Sequence, residues 1–162
     1  GVYQKEAGRT WAYAINSGTQ ITDQWKISDF ENGVYSLTVN GPNGFFREFR
    51  GSKNDPNLVL TCRYEQSGVL KKITGNLLLE LENKEPKALE ILIKDEEYKI
   101  INKRVIIPGN SKKEMLINLQ NTKAWYNFKL TISGHADFVK HYAGHVETGE
   151  ESISDPFMGG IL

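Results

Sequence analysis

Apolar side chains recur at every second position through much of the chain: Tyr35, Leu37, Val39; Leu77, Leu79, Leu81; Leu89, Ile91, Ile93; and Tyr126, Phe128, Leu130, Ile132. Such alternation predicts strands with one face buried. The run Leu58-Val-Leu-Thr-Cys-Arg-Tyr64 keeps the same period and sets Cys62 on its apolar face, where a thiol behaves as a small, inert hydrophobe. Turn signals stand between the runs: Asn32-Gly33, Gly41-Pro42-Asn43-Gly44, Asp55-Pro56, Ser67-Gly68, Glu85-Pro86, Pro108-Gly109 and Ser133-Gly134. No long stretch carries a capped helical stripe. Short strands separated by turns at about ten-residue spacing predict an all-β fold, an antiparallel immunoglobulin-like β-sandwich.

The chain also echoes itself. Gly33-Val-Tyr-Ser-Leu-Thr-Val39 has the pattern of Ala124-Trp-Tyr-Asn-Phe-Lys-Leu130, and Tyr35 stands 91 positions from Tyr126, as Gly18 does from Gly109. Gly44-Phe-Phe-Arg-Glu-Phe-Arg-Gly51 matches Asp137-Phe-Val-Lys-His-Tyr-Ala-Gly144, with Gly51 and Gly144 93 positions apart. The extra residues fall in a turn, where insertions are tolerated. The expected organisation is a tandem repeat with the first copy truncated: residues 1–53 are the C-terminal part of a first repeat, 54–147 a complete second repeat, and 148–162 a tail anchored by Phe157 and Met158. A half-sandwich leaves apolar surface uncovered, so residues 1–51 are expected to pack on the complete repeat or to self-associate between chains.

Composition narrows the classes. Lys plus Arg number 20 and Asp plus Glu number 20, so no bulk field draws in nucleic acid, and none is expected as a partner. The longest apolar runs, such as Leu77-Leu-Leu79, are far short of the about 20 residues a membrane-spanning helix needs. The first residues, Gly-Val-Tyr-Gln-Lys-Glu, lack the basic and apolar regions of a secretory signal, so any such signal is expected to lie upstream or to have been removed. Cys62 is the only cysteine, which excludes an internal disulfide.

Two motifs carry a resemblance. Asn40-Gly-Pro-Asn-Gly-Phe-Phe-Arg-Glu-Phe-Arg-Gly51 resembles the closing strand of the first of two tandem C-terminal repeats in bacterial phosphocholine-specific phospholipases C. Ala143-Gly-His-Val-Glu-Thr-Gly149, with Ser152-Ile-Ser-Asp-Pro-Phe-Met158 after it, is similar to the signature that ends the second. Trp125-Tyr126 matches the start of a family strand, although Asn127-Phe128 follow it here and Lys140-His141-Tyr142 stand where relatives often carry Arg-Arg-Phe. The resemblance implies a non-catalytic accessory module of a secreted or periplasmic enzyme that hydrolyses phosphatidylcholine or sphingomyelin. It implies the parent's N-terminal catalytic domain as a partner, and a role in folding, secretion or placement on a phospholipid surface. Fold resemblance alone licenses no activity.

The residues offer little chemistry of their own. Neither a Gly-x-Ser-x-Gly elbow nor a Gly-x-x-x-x-Gly-Lys loop occurs. The acid pairs Asp23 with Glu31 and Glu147 with Asp155 have no spacing that brings them to one cleft. No catalytic residue and no cofactor are expected. His135, His141 and His145 lie close in sequence and are weak metal candidates, but His141 sits on a strand with the other two expected in flanking turns, so the rings need not converge. Lipid contact has a firmer basis in Phe45, Phe46, Arg47 and Arg50, because aromatic rings beside arginine suit a headgroup interface. The alternative is that Phe45 and Phe49 are core and the arginines solvate an edge. A competing reading is a stand-alone carbohydrate- or protein-binding β-sandwich, with Trp11, Trp25 and Trp125 as a sugar platform, although strand settings favour burial of these rings.

Overall fold

The computed structural model describes residue 3 and residues 8–157. Met158 and the four residues after it in the expected tail lie outside the described residues, as do most of the first seven. Nine strands follow one another among the described residues: β1 (Val34–Asn40), β2 (Phe46–Ser52), β3 (Leu58–Ser67), β4 (Lys72–Asn83), β5 (Leu89–Lys94), β6 (Asn102–Ile107), β7 (Ser111–Ile117), β8 (Trp125–Ile132) and β9 (His135–His145). All pair antiparallel, in a six-stranded sheet of order β1-β2-β9-β8-β5-β6 and a three-stranded sheet of order β3-β4-β7. The two face each other in a sandwich-like arrangement.

The period-two pattern is what buries the core. Leu77, Leu79 and Leu81 of β4 are fully buried with Ile91 and Ile93 of β5, Phe128 and Leu130 of β8, and Ile107 of β6. The intervening residues Glu80 and Glu82 project outward to meet Lys112 of β7. The buried Asn83 ends β4 and donates from Nδ2 to the carbonyls of Lys87, Ile107 and Pro108 at 2.8, 3.1 and 3.0 Å, while its Oδ1 accepts from the Glu85 amide at 2.9 Å. That side chain ties together carbonyls at the ends of β6 and of the turn after β4; the Pro108 carbonyl also accepts from Ser111 Oγ at 2.7 Å. Gly109 lies so close to Pro86 that a Cβ there would fall 2.1 Å from the Pro86 carbonyl oxygen.

Residues 34–52 form a hairpin that pairs edge to edge with β9, extending the larger sheet. The register sets Arg47 opposite Tyr142, Glu48 opposite His141 and Phe49 opposite Lys140. β1 is left at the sheet edge, and its Val39 is 46% exposed.

The sequence pattern and the structure part in three places. β6 and β7 are absent from the alternation, because each carries apolar residues only in its second half: Val105 and Ile107, then Met115 and Ile117. Trp11 and Trp25, expected in strands, lie in an irregular segment whose turn closes with a hydrogen bond from the Thr19 amide to the Asn16 carbonyl at 3.1 Å. Their rings meet edge to face, centroids 5.4 Å apart. His135 and His145, expected in turns, are the first and last residues of β9.

Candidate functional site

The residues expected at a lipid surface divide between the two faces of β2. Arg47 points to the inner face, where Nη2 donates to the Tyr126 hydroxyl at 2.8 Å and Nη1 to the carbonyls of Phe46 and Ala143 at 2.7 and 2.8 Å. Its guanidinium stands 4.2 Å from the Phe45 ring centroid, 4.7 Å from that of Tyr142 and 5.4 Å from that of Tyr126. Phe46 and Arg50 take the outer face, Phe46 packing edge-on against His141 and Arg50 pairing with Glu48 at 3.3 Å. Phe45, just before the strand, is 37% exposed.

Lys140 of β9 occupies the mirrored setting. Its Nζ donates to the Tyr35 hydroxyl at 3.2 Å and stands 4.9, 5.1 and 5.4 Å from the ring centroids of Phe138, Phe49 and Tyr35. Tyr35 in turn donates to Asp55 Oδ2 at 2.6 Å. At the sequence offsets of 91 and 93, Arg47 corresponds to Lys140, Phe45 to Phe138, Tyr126 to Tyr35 and Tyr142 to Phe49. Each cation therefore touches one aromatic ring of its own hairpin and two of the other. Glu48 and His141, which correspond to each other at the same offset, lie opposite one another across β2 and β9. Burial of the Lys140 ammonium holds its pKa below the usual lysine range, with the Asp55 charge opposing that shift. Burial also pushes the Tyr142 phenol up to about 12.

Glycines complete both arrangements. Gly51 lies opposite Tyr35 and Gly144 opposite Tyr126, and a Cβ would fall 2.6 Å from the Tyr35 hydroxyl at the first and 2.9 Å from the Tyr126 hydroxyl at the second. Only a residue without a side chain leaves room for these phenols.

The three histidines keep separate company. His141 Nε2 meets Asn127 Oδ1 at 2.6 Å and its Nδ1 lies 3.6 Å from Glu48, beside a shallow cavity of about 100 Å³ walled by Lys94, Glu96, Glu97 and Lys129. Burial, and after it the Lys129 charge, lower the His141 pKa, while Glu48 opposes them. His145 sits under Trp125, with Nδ1 3.3 Å from Glu147 and Nε2 3.2 Å from the Lys123 carbonyl. Among the described residues no group of three His, Cys, Asp or Glu is gathered as a metal site. The acid pairs are likewise apart in their contacts: Asp23 accepts from Tyr13, Glu147 meets His145 and Asn43, and Asp155 accepts from the Phe157 amide. Cys62 lies on the inner side of β3 against the core, and burial pushes its thiol up to about 11.

One feature escapes the periodic reading altogether. In the turn between β3 and β4, Val69 is 100% and Leu70 94% exposed. The sequence marks the turn at Ser67-Gly68, and an aliphatic pair followed by Lys71-Lys72 is the available signal.

These features define an all-β, two-sheet domain whose aromatic and cationic groups hold its own hairpins together. Residues 1–52 match the family profile described as the bacterial phospholipase C C-terminal domain. The chain is 31% identical over 150 residues to the non-hemolytic phospholipase C of Burkholderia pseudomallei, covering 91% of this chain and 21% of the relative. It is 30% identical over 155 residues to the non-hemolytic enzyme of Pseudomonas aeruginosa, with the same coverage, and 32% over 171 residues to the hemolytic phospholipase C of that organism, covering 97% and 23%. The chain thus spans about a fifth of the length of these curated relatives, in their C-terminal part. It belongs to the bacterial phospholipase C C-terminal domain family and corresponds to the C-terminal part of those enzymes.

Proposed function

We propose that this chain is the accessory region of a phospholipase C acting on phosphatidylcholine or sphingomyelin outside the cytoplasm, and that it sets the catalytic domain at a lipid surface. The observation that carries this reading is the confinement of the match to the C-terminal fifth of the relatives. Within it, residues 1–53 act as the end of a first immunoglobulin-like repeat, 54–147 as a complete second repeat and 148–162 as a tail. The corresponding contacts of Arg47 and Lys140 support this division. So does the contrast between Tyr126, Phe128 and Leu130, at 1% exposure or less, and their counterparts, of which Tyr35 and Leu37 are only partly buried and Val39 is 46% exposed. The open face of β1 is where the rest of a first repeat, or a second chain, would pack.

Lipid contact draws support from Phe45 and from the tail residues Ile153 and Phe157, which are 37%, 51% and 45% exposed. Of the other residues expected there, Phe46 and Arg50 flank the His141 face, and Arg47 contributes by holding Phe45 in position. A sugar platform is disfavoured by the 66° angle between Trp11 and Trp25, since a saccharide needs an open flat face. The purified chain is expected to co-sediment with phosphatidylcholine-containing vesicles and to leave a chromogenic phosphocholine ester intact. Turnover of the ester, or a chain that stays in the supernatant, would overturn the reading.

A further inference from the structure

The β3–β4 hairpin reaches well past its neighbours. The ladder between β4 and β7 begins at Leu77 opposite Ile117, so residues 72–76 and their partners in β3 extend about 16 Å beyond it at 3.3 Å per residue. Across this extension Gln66 pairs with Ile73 and Ser67 with Lys72. The neck is tied: the Glu65 carboxylate accepts from Thr74 Oγ1 at 2.5 Å and Asn76 Nδ2 at 2.9 Å, while Asn76 Oδ1 accepts from the Leu119 amide at 3.0 Å. Ile73 roots the hairpin on the core. The tip is a closed turn, with the Lys71 amide donating to the Gly68 carbonyl at 3.2 Å and both residues at positive φ. An ordered stalk thus carries the two most exposed large apolar side chains among the described residues, Val69 at 100% and Leu70 at 94%; the next, Ile106, is at 62%.

The tail crosses the same end of the sandwich, where Lys72 Nζ meets Glu150 at 3.1 Å and Trp125 donates to the Ile153 carbonyl at 3.0 Å. The half-exposed Ile153 and Phe157 therefore belong to the end from which the tip projects. A convex aliphatic tip fits no flat protein surface without a pocket to receive it. With lysines behind it, the tip suits the headgroup layer of a bilayer, in which apolar side chains sink about 5–10 Å and cations meet anionic lipid. We propose that Val69 and Leu70 insert into a lipid bilayer, with Lys71 and Lys72 as the cationic shoulder that favours anionic headgroups. This rests on the lipid-surface role given above and names the element that performs it.

The test is sedimentation of the whole chain with phosphatidylcholine vesicles and with vesicles that also contain phosphatidylglycerol. The double variant Val69→Ser/Leu70→Ser is expected to melt as the unaltered chain does, since neither side chain touches the core. It is expected to lose affinity for both vesicle types by about ten-fold or more. Lys71→Glu/Lys72→Glu is expected to lose affinity for the phosphatidylglycerol vesicles alone, and the difference is expected to vanish at high salt. If the unaltered chain binds and the serine variant binds equally well, the insertion is refuted while the lipid-surface role stands. A serine variant that keeps vesicle binding but loses association with the catalytic part of the enzyme reassigns the tip to protein docking. An unaltered chain that does not sediment overturns both.

Discussion

Arg47 is where the pairing of the two hairpins is most exposed to test. Replacing it with alanine removes a charged donor from the hydroxyl of Tyr126, a residue only 1% exposed, and from the Ala143 carbonyl on the neighbouring strand. Losing hydrogen bonds from a charged group to a buried acceptor costs about 1.5–3 kcal/mol. Losing its stacking over Tyr142 and Phe45 adds about 0.5–1 kcal/mol. We expect Arg47→Ala to destabilise the chain by about 3 kcal/mol, which at about 2–4 °C per kcal/mol for a domain of this size lowers Tm by about 6–12 °C. Arg47→Lys keeps the charge without the forked geometry and should fall between. Lys140→Met should behave differently, because Lys140 is partly desolvated and Tyr35 retains Asp55 as its partner; a change within about 1 kcal/mol is expected. Denaturant and thermal unfolding measure all three. An Arg47→Ala variant that unfolds within about 0.5 kcal/mol of the parent would refute the account of this contact.

Other consequences can be checked in the same assays. Gly109→Ala drives a methyl group into the Pro86 backbone and should cost about 2 kcal/mol or more. Gly134→Ala, in open space at φ +81°, should cost only the about 1 kcal/mol of a left-handed residue; equal losses would contradict the packing at Gly109. His141 titrates below its usual range in the folded chain. The unfolded chain therefore takes up the proton first, at about pH 6.5, and stability falls as the pH drops from there through the folded pKa. Between pH 8 and pH 5.5 the unaltered chain should lose more stability than His141→Gln, and equal losses would remove this contribution.

Much of this architecture is legible in the amino-acid pattern, and the failures have physical reasons. β4, β5 and β8 alternate cleanly because one face of each packs on the opposite sheet, so periodicity and burial coincide; β1 alternates as well, but at the sheet edge its Val39 stays exposed. β6 and β7 escape because only their second halves reach the core; their opening residues, such as Lys103, Arg104, Lys112 and Lys113, are exposed. Arg47 and Lys140 read as surface charges by residue type. Their alternation says otherwise, since Arg47 shares a face with Phe49, and only cross-strand aromatic partners make such cations tolerable inside. The self-similarity of the two hairpins is visible in the sequence, but their edge-to-edge pairing is not, because sequence offsets carry no information about which edges meet. Val69 and Leu70 lie in a turn, where no face alternates and apolar residues leave no periodic signal.

The proposed lipid-surface role is tested most directly in a whole phospholipase C carrying this region, by comparing turnover of a soluble phosphocholine ester and of phosphatidylcholine vesicles with and without these 162 residues. Their removal is expected to leave ester turnover within about two-fold while vesicle turnover falls by about ten-fold or more. Equal loss on both substrates, or no loss on vesicles, would contradict it.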